Sequence, residues 1–220
     1  MKQLQQNGFQ LIRGVIDSVE IKDLHTESNR IARLEGSVCV RRLRDKSGVF
    51  SKLATSDRLL DLLPSNFIPV RSILFDKTPD ENWPVAWHQD LTIAVKEKIA
   101  VKGYGPWSTK DGVTHVQPPA AILEKMLTIR IHLDDTPETN GALRVIAGSH
   151  LKGKIPTGET KLHTSEPEEI CACEAGDALI MCPLILHASS RSEKPDRRRI
   201  IHFEYAPSDA LDDGLVWYEI

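Results

Sequence analysis

The sequence predicts an α+β fold in which helices lead and a closed sheet, a sandwich or barrel, follows. Three observations carry the prediction. Apolar residues recur at helical spacing after Asp17, short β-branched and aromatic runs dominate after Pro64, and strong turn signals separate those runs. Residues 9–12, FQLI, read as a short strand. Asp17-Ser18-Val19-Glu20 has the form of a capping box, an acidic N-cap with a glutamate three residues on. The helix behind it is expected to reach about Leu34, because Ile21, Leu24, Ile31 and Leu34 share one face. A second, shorter helix is expected after Ser56, stopping at Pro64, which cannot continue it comfortably. Residues 67–75, 126–133, 169–174, 178–182 and 199–205 read as strands, with Asn140-Gly141 and Gly176-Asp177 marking turns. The stretch 96–119 holds three glycines and three prolines and reads as a long loop; at that length an active-site lid is expected. With no repeat, low-complexity tract or linker, residues 1–220 are expected to form one domain.

Composition narrows the function classes. A chain of 220 residues suits one domain, since chains divide beyond roughly 250–300 residues. A hydrophobic content of 40% is too high for a disordered chain. Lys+Arg 28 against Asp+Glu 31 leaves a net charge of −3, which gives no electrostatic footprint for nucleic acid or an anionic membrane. No run approaches the roughly 18–20 apolar residues that span a bilayer, and MKQLQQNGFQLIRG lacks the apolar centre of a signal peptide. Cys39, Cys171, Cys173 and Cys182 are too few for a disulfide framework. The Cys171-x-Cys173 pair, inside a strand-like run, reads as buried thiol filler rather than a metal or redox pair. A cytoplasmic protein with a small-molecule partner is expected.

The sharpest chemical feature is Trp87-His88-Gln89-Asp90. In an extended segment His88 and Asp90 project to the same side and converge. A third ligand would complete a two-histidine, one-carboxylate site with open positions, the set used by non-haem Fe(II) oxygenases. His187, just past the apolar run DALIMCPLIL, is the best candidate, with His150 as its rival. Eleven residues after His187, Arg198 sits within Asp196-Arg197-Arg198-Arg199 and opens another strand. Such a run is commonly a solvated face, yet a guanidinium there is suited to a dicarboxylate cosubstrate, with Ser189 as a hydroxyl donor. Arg197 and Arg199 would then point away. Arg130 and His132 share strand parity and are candidates for the barrel lumen, while His115, Trp107 and Tyr104 lie in the expected lid.

These residues together resemble the phytanoyl-CoA dioxygenase family of Fe(II)/2-oxoglutarate-dependent oxygenases. The resemblance runs over nearly the whole chain: NGFQLIRGVIDSVEIKDL at the start, WHQD, LTIRIHLDDTPETNGALRVIAGSH, GDALIMCPLILHASS and RRRIIHFEYAP follow in order. It implies a double-stranded β-helix (jelly-roll, cupin-like) core with the N-terminal helices packed outside. It implies His88, Asp90 and His187 as iron ligands, Arg198 with Ser189 on the distal carboxylate of 2-oxoglutarate, and Gln89 close to cosubstrate or substrate. The implied reaction is hydroxylation of an unactivated C–H bond of a small organic substrate by O2, with 2-oxoglutarate released as succinate and CO2. Asp90 argues against halogenation, because related halogenases lack that carboxylate. One departure is Ala188, where the family usually has glycine after the distal histidine.

The family name does not dictate the substrate. For the phosphates of a CoA thioester the sequence offers Arg41, Arg42 and Arg44, and they read as a solvated turn; a free small molecule is favoured. Two other classes compete. A cupin-like metalloenzyme working without 2-oxoglutarate would not need Arg198, and a non-catalytic jelly-roll binding module would not need all of His88, Asp90 and His187.

Overall fold

The computed structural model describes residues 2–194, 196–211 and 214–219. The chain opens with α1 (Lys2–Asn7), β1 (Phe9–Ile12) and α2 (Ser18–Glu35). Asp17 caps α2: its Oδ1 accepts from the backbone N–H of Val19 at 2.8 Å and of Glu20 at 2.9 Å. The reciprocal half of the capping box is not made, because Glu20 instead takes the Arg58 guanidinium at 2.8 and 2.7 Å. Gly36 ends the helix in the left-handed conformation, φ 59°, with its N–H on the Ala32 carbonyl. Ile21, Leu24 and Ile31 are buried as the spacing predicts, but Leu34 is 69% exposed, so the inward stripe stops a turn early. After β2 (Cys39–Arg41) come three short helices, α3 (Leu43–Lys46), α4 (Gly48–Ala54) and α5 (Asp57–Leu60). The last is the helix expected after Ser56, reduced to a single turn.

The remaining elements are β3 (Phe67–Lys77), β4 (Val85–His88), β5 (Ile93–Val95), β6 (Trp107–Lys110), β7 (Val113–Val116), α6 (Ala120–Leu123), β8 (Leu127–His132), β9 (Leu143–Val145), α7 (Thr160–His163), β10 (Glu169–Cys171), β11 (Ala178–Met181), β12 (His187–Ser189) and β13 (Arg198–Pro207). Every strand read from the sequence is present. One sheet runs β1-β11-β8-β13-β3-β2 and a second β10-β9-β12-β4, all pairs antiparallel. Numbered along the chain, β3, β4 and β8–β13 are eight strands with sheet orders 6-3-8-1 and 5-4-7-2, the double-sheet jelly roll. β1 and β2 extend the larger sheet at its two edges.

Strand alternation then sorts the side chains. Ile201, Phe203 and Tyr205 of β13 pack outward against Leu24, Ile31, Leu43 and Phe50 of the helices. The Tyr205 hydroxyl donates to the Ala54 carbonyl at 2.9 Å. Each such fully buried side chain contributes roughly 1.5–3 kcal/mol, which fixes the helices on the outer face. Arg198, Ile200 and His202 face the other way, into the space between the sheets. Farther along that interior Phe9, Leu143, Val145, Leu179 and Met181 close the core, joined by Cys171. Burial pushes the Cys171 and Cys173 thiols up to about 12, so they are protonated filler.

The segment 96–119 departs from the expected open loop. Its second half is the β6–β7 hairpin, which pairs with β5 in a third sheet, β5-β7-β6, inserted between β4 and β8. Asp111 and Gly112 both take positive φ, 50° and 76°, the pattern of a type I′ hairpin turn. Val95, Tyr104 and Val116 bury with Met126 and Trp217, so apolar packing holds the segment in place. No described helix is long and apolar enough to cross a membrane.

Candidate active site

The His88-Asp90-His187 triad is assembled by strand register. β4 and β12 pair so that His187 stands opposite His88, with ring centroids 4.2 Å apart. Asp90, two residues beyond His88, is fixed by its backbone N–H on the Pro183 carbonyl at 2.9 Å. The side-chain donors of His88, Asp90 and His187 lie within 4.8 Å of one another. The Nε2 atoms of His88 and His187 are 3.8 and 3.7 Å from the two oxygens of Asp90, too far for hydrogen bonds. The other ring nitrogens are committed: Nδ1 of His88 donates to the Ala86 carbonyl at 2.8 Å, and Nδ1 of His187 to the Ile185 carbonyl at 2.9 Å. A carbonyl only accepts, so Nδ1 carries the proton in both rings and each Nε2 lone pair faces the carboxylate. Two imidazole lone pairs and a carboxylate that converge without bonding one another fit a divalent metal.

Electrostatics agree with that fit. Burial pushes His187 down to about 4, against the pull of Asp90, so it is neutral at physiological pH and its lone pair is free. Burial also opposes ionisation of Asp90, but at acid pH, where the imidazoles of His187, His202 and His88 take up protons, their charge and that of Arg71 outweigh it and hold the carboxyl well below its usual range.

A cavity opens from the triad, lined by Phe75, Lys77, Trp83, Arg130, Ser189, Arg198 and His202 among others. Arg198 is 7% exposed. Its Nη1 donates to the Gly141 carbonyl and its Nη2 lies 3.3 Å from Ser189 Oγ. Gly141 sits at φ 67°, and a Cβ there would meet Arg198 Nη1 at 3.3 Å and the Ser190 carbonyl at 2.8 Å, so this turn admits only glycine. The three consecutive arginines separate as expected. Arg197 forks onto Asp76 at 2.9 and 2.7 Å, Arg199 onto Asp134 at 2.8 and 2.5 Å, and only Arg198 enters the cavity.

Gln89 is a correction. The resemblance places it beside cosubstrate or substrate, but it points away from His88 and Asp90 and its amide is spent on the scaffold. Nε2 donates to the carbonyls of Gly153 at 2.8 Å and Leu184 at 2.6 Å, and Oε1 accepts from Ile155 N–H at 2.8 Å. The alternation that points His88 and Asp90 inward sends Gln89 to the opposite side.

His150, the rival third ligand, is instead bonded to the Gln5 carbonyl at 3.2 Å. Arg130 reaches the cavity, whereas His132 is buried and bonded to Thr136 Oγ1 at 3.0 Å. No residue of 96–119 lines the cavity. Trp83 does, on the connection between β3 and β4, which Asn82 pins by paired hydrogen bonds to the backbone of Ser192, both 2.9 Å. Lys77, Trp83 and His202 were not read as site residues. Lys77 stands opposite Arg198 in the β3–β13 ladder; burial, Arg198 and Arg130 push its amine down to about 7.

Comparison with known proteins decides the family. Residues 4–200 match the phytanoyl-CoA dioxygenase family. The chain belongs to the phytanoyl-CoA dioxygenase family. No curated protein matches the sequence. Among solved structures, it is similar to SnoN, a non-heme α-ketoglutarate-dependent epimerase from nogalamycin biosynthesis, in complex with Fe3+, α-ketoglutarate and nogalamycin RO. That match has 19% identity and TM-score 0.75 over 94% of this chain and 82% of that one. It is similar to SnoK, a carbocyclase from the same biosynthesis, with 17% identity and TM-score 0.73 over 94% and 83%. It is also similar to HygX from Streptomyces hygroscopicus with nickel and 2-oxoglutarate bound, with 19% identity and TM-score 0.66 over 94% and 86%. Iron and 2-oxoglutarate, the cofactor set expected from the sequence, are bound in those similar structures, and His88, Asp90 and His187 form a cluster that could hold a metal ion here.

Proposed function

We propose that this protein is an Fe(II)/2-oxoglutarate-dependent hydroxylase of a free small organic molecule. The observation that carries the reading is the convergence of His88, Asp90 and His187 on the wall of a cavity in which Arg198 is buried with no carboxylate partner among the described residues. His88, Asp90 and His187 would hold the metal. Arg198, with Ser189 beside it, would receive the distal carboxylate of 2-oxoglutarate, since a buried guanidinium matches a carboxylate bidentately. When bound, iron supplies the oxidation, consuming O2 and 2-oxoglutarate and releasing succinate and CO2. The chain's own part is to keep three protein ligands on one side, leave the other side open, and hold both imidazoles in the Nδ1–H form.

The arginines weighed for a CoA phosphate are otherwise engaged. Arg41 pairs with Asp111 at 2.9 Å, Arg42 lies 3.3 Å from the Tyr218 hydroxyl, and Arg44 donates to the carbonyls of Pro69 at 2.8 Å and Glu219 at 2.6 Å. That supports a free small molecule over a CoA thioester. Asp90 at the carboxylate position supports hydroxylation over halogenation. Because the similar SnoN and SnoK are an epimerase and a carbocyclase, the product decides the outcome of C–H oxidation.

The test is anaerobic titration with Fe(II) and 2-oxoglutarate, followed by screening candidate substrates for succinate release and for 18O from 18O2 in the product. A weak visible charge-transfer band is expected on titration. Its absence would favour a cupin-like enzyme without 2-oxoglutarate, and failure to bind metal would favour a binding module. Succinate release without label in the product would replace hydroxylation by another C–H oxidation.

A further inference from the structure

Arg130 is a guanidinium in the wrong place for a structural residue. It lies on β8, an inner strand flanked by β11 and β13, and lines the cavity. Its Nη1 donates to His202 Nδ1 at 3.2 Å, its Nε is buried without a partner, and its charged carbon stands 5.6 Å from the Phe75 ring centroid. None of the ion pairs among the described residues includes it, although Arg197 and Arg199 each have a forked carboxylate. A half-buried guanidinium that lines a cavity with one neutral acceptor for five N–H groups lacks an anion.

His202 holds Arg130 in that state. Nδ1 accepts from the guanidinium, so Nε2 carries the proton and donates to Glu204 at 3.1 Å; Glu204 is in turn paired with Arg71. Glu204 is thereby spent on Arg71 and His202, and the chain orients Arg130 without neutralising it.

The position of Arg130 says which anion is missing. In the β8–β13 ladder Arg130 stands opposite His202, four residues farther along β13 than Arg198. At about 3.3 Å per residue that is roughly 13 Å of strand, bridged by two long side chains reaching into one cavity. Arg198 lies at the Lys77 end, whereas the chief carboxylate acting on Arg130 is Asp90, the metal-binding one. A substrate must present a C–H bond toward the metal, and the group that has to sit beside Asp90 is the metal-chelating end of the keto acid.

We infer that Arg130 is a second anion anchor, binding the α-carboxylate of 2-oxoglutarate so that the cosubstrate is gripped by a guanidinium at each end. This rests on the cosubstrate reading above and adds a residue to it.

The test is calorimetric and needs no turnover. Nickel-loaded full-length protein is titrated with 2-oxoglutarate and with 2-oxopentanoate, which keeps the α-keto acid end but lacks the distal carboxylate. Arg130→Gln is expected to weaken both ligands by the same factor, tenfold or more, and Arg198→Gln to weaken 2-oxoglutarate alone. Arg130→Lys, which keeps the charge but loses the fork, is expected to fall between and guards against misfolding of the glutamine variant. Arg130 variants with both dissociation constants within twofold of wild type would overturn the assignment, leaving that cation to the substrate. Weakening of 2-oxoglutarate alone by Arg130→Gln would overturn it too, moving the residue to the distal end. Wild-type protein that binds neither keto acid would overturn the cosubstrate reading itself, a pattern distinct from both.

Discussion

Gln89 offers the clearest separation between a residue that touches ligand and one that builds the site. It sits between two metal-ligand candidates in sequence, yet it is 8% exposed and its amide makes three hydrogen bonds to the backbone at 153, 155 and 184. Gln89→Leu keeps the bulk and removes all three, stranding two carbonyls and one N–H. At about 1 kcal/mol or more for each stranded buried group, the loss is about 3 kcal/mol or more. In a domain of this size 1 kcal/mol moves the midpoint by roughly 2–4 °C, so Tm should fall by roughly 6–12 °C. Thermal unfolding by circular dichroism reads that number, and calorimetry on the nickel-loaded protein well below Tm reads 2-oxoglutarate affinity, which should change by less than about threefold, or 0.65 kcal/mol. An unshifted Tm combined with a tenfold loss of cosubstrate affinity would refute the argument and return Gln89 to the ligand.

Asp90→Ala should abolish metal-dependent turnover while leaving the fold intact, because among the described residues no side chain forms a hydrogen bond with the carboxylate, and the imidazoles of His187 and His88 approach it only to 3.7 and 3.8 Å. Turnover at the wild-type rate would sink the triad. Lys77, its amine pushed down to about 7 by burial and by Arg198 and Arg130, gains a proton more readily when an anion binds beside it. Affinity for 2-oxoglutarate should therefore be full below about pH 7 and fall above it, and Lys77→Gln should flatten that profile; an unaltered profile in the variant would exclude Lys77. Arg199→Ala leaves the Asp134 carboxylate without its forked partner and should cost up to about 3–5 kcal/mol in urea unfolding, without affecting 2-oxoglutarate binding. An unchanged urea midpoint would show that the pair contributes nothing.

The parts of this structure legible in the sequence are those written locally. A cap and a 3.6-residue spacing specify α2, and β-branched runs between turn residues specify the strands, because both signals lie within a few residues of the atoms they control. The candidate metal cluster was readable for a related reason: period-two alternation puts His88 and Asp90 on one side. The same alternation separates Arg198 from Arg197 and Arg199, which then find Asp76 and Asp134 outside the barrel. Applied to Gln89, it also predicts the outward orientation that the family resemblance obscured. The β6–β7 hairpin was signalled too, by Asp111-Gly112 between β-branched residues, but the glycines and prolines of the surrounding segment read as loop.

What was not legible depends on register between distant strands. Nothing near Lys77 in the sequence marks it as a site residue; it becomes one because β3 pairs with β13 so that Lys77 stands opposite Arg198. Arg130 and His202 meet only through the β8–β13 ladder, 72 residues apart, and a one-residue slip would turn both out of the cavity. Register itself is set by apolar sorting of Ile129, Ile131, Ile201 and Phe203 toward the helices, so the charged lining of the cavity is a consequence of the hydrophobic outer face. Reversing the parity of β13 would have to expose Ile201 and Phe203 before it moved Arg198. The packing that positions the guanidinium is therefore also what resists its loss from the cavity.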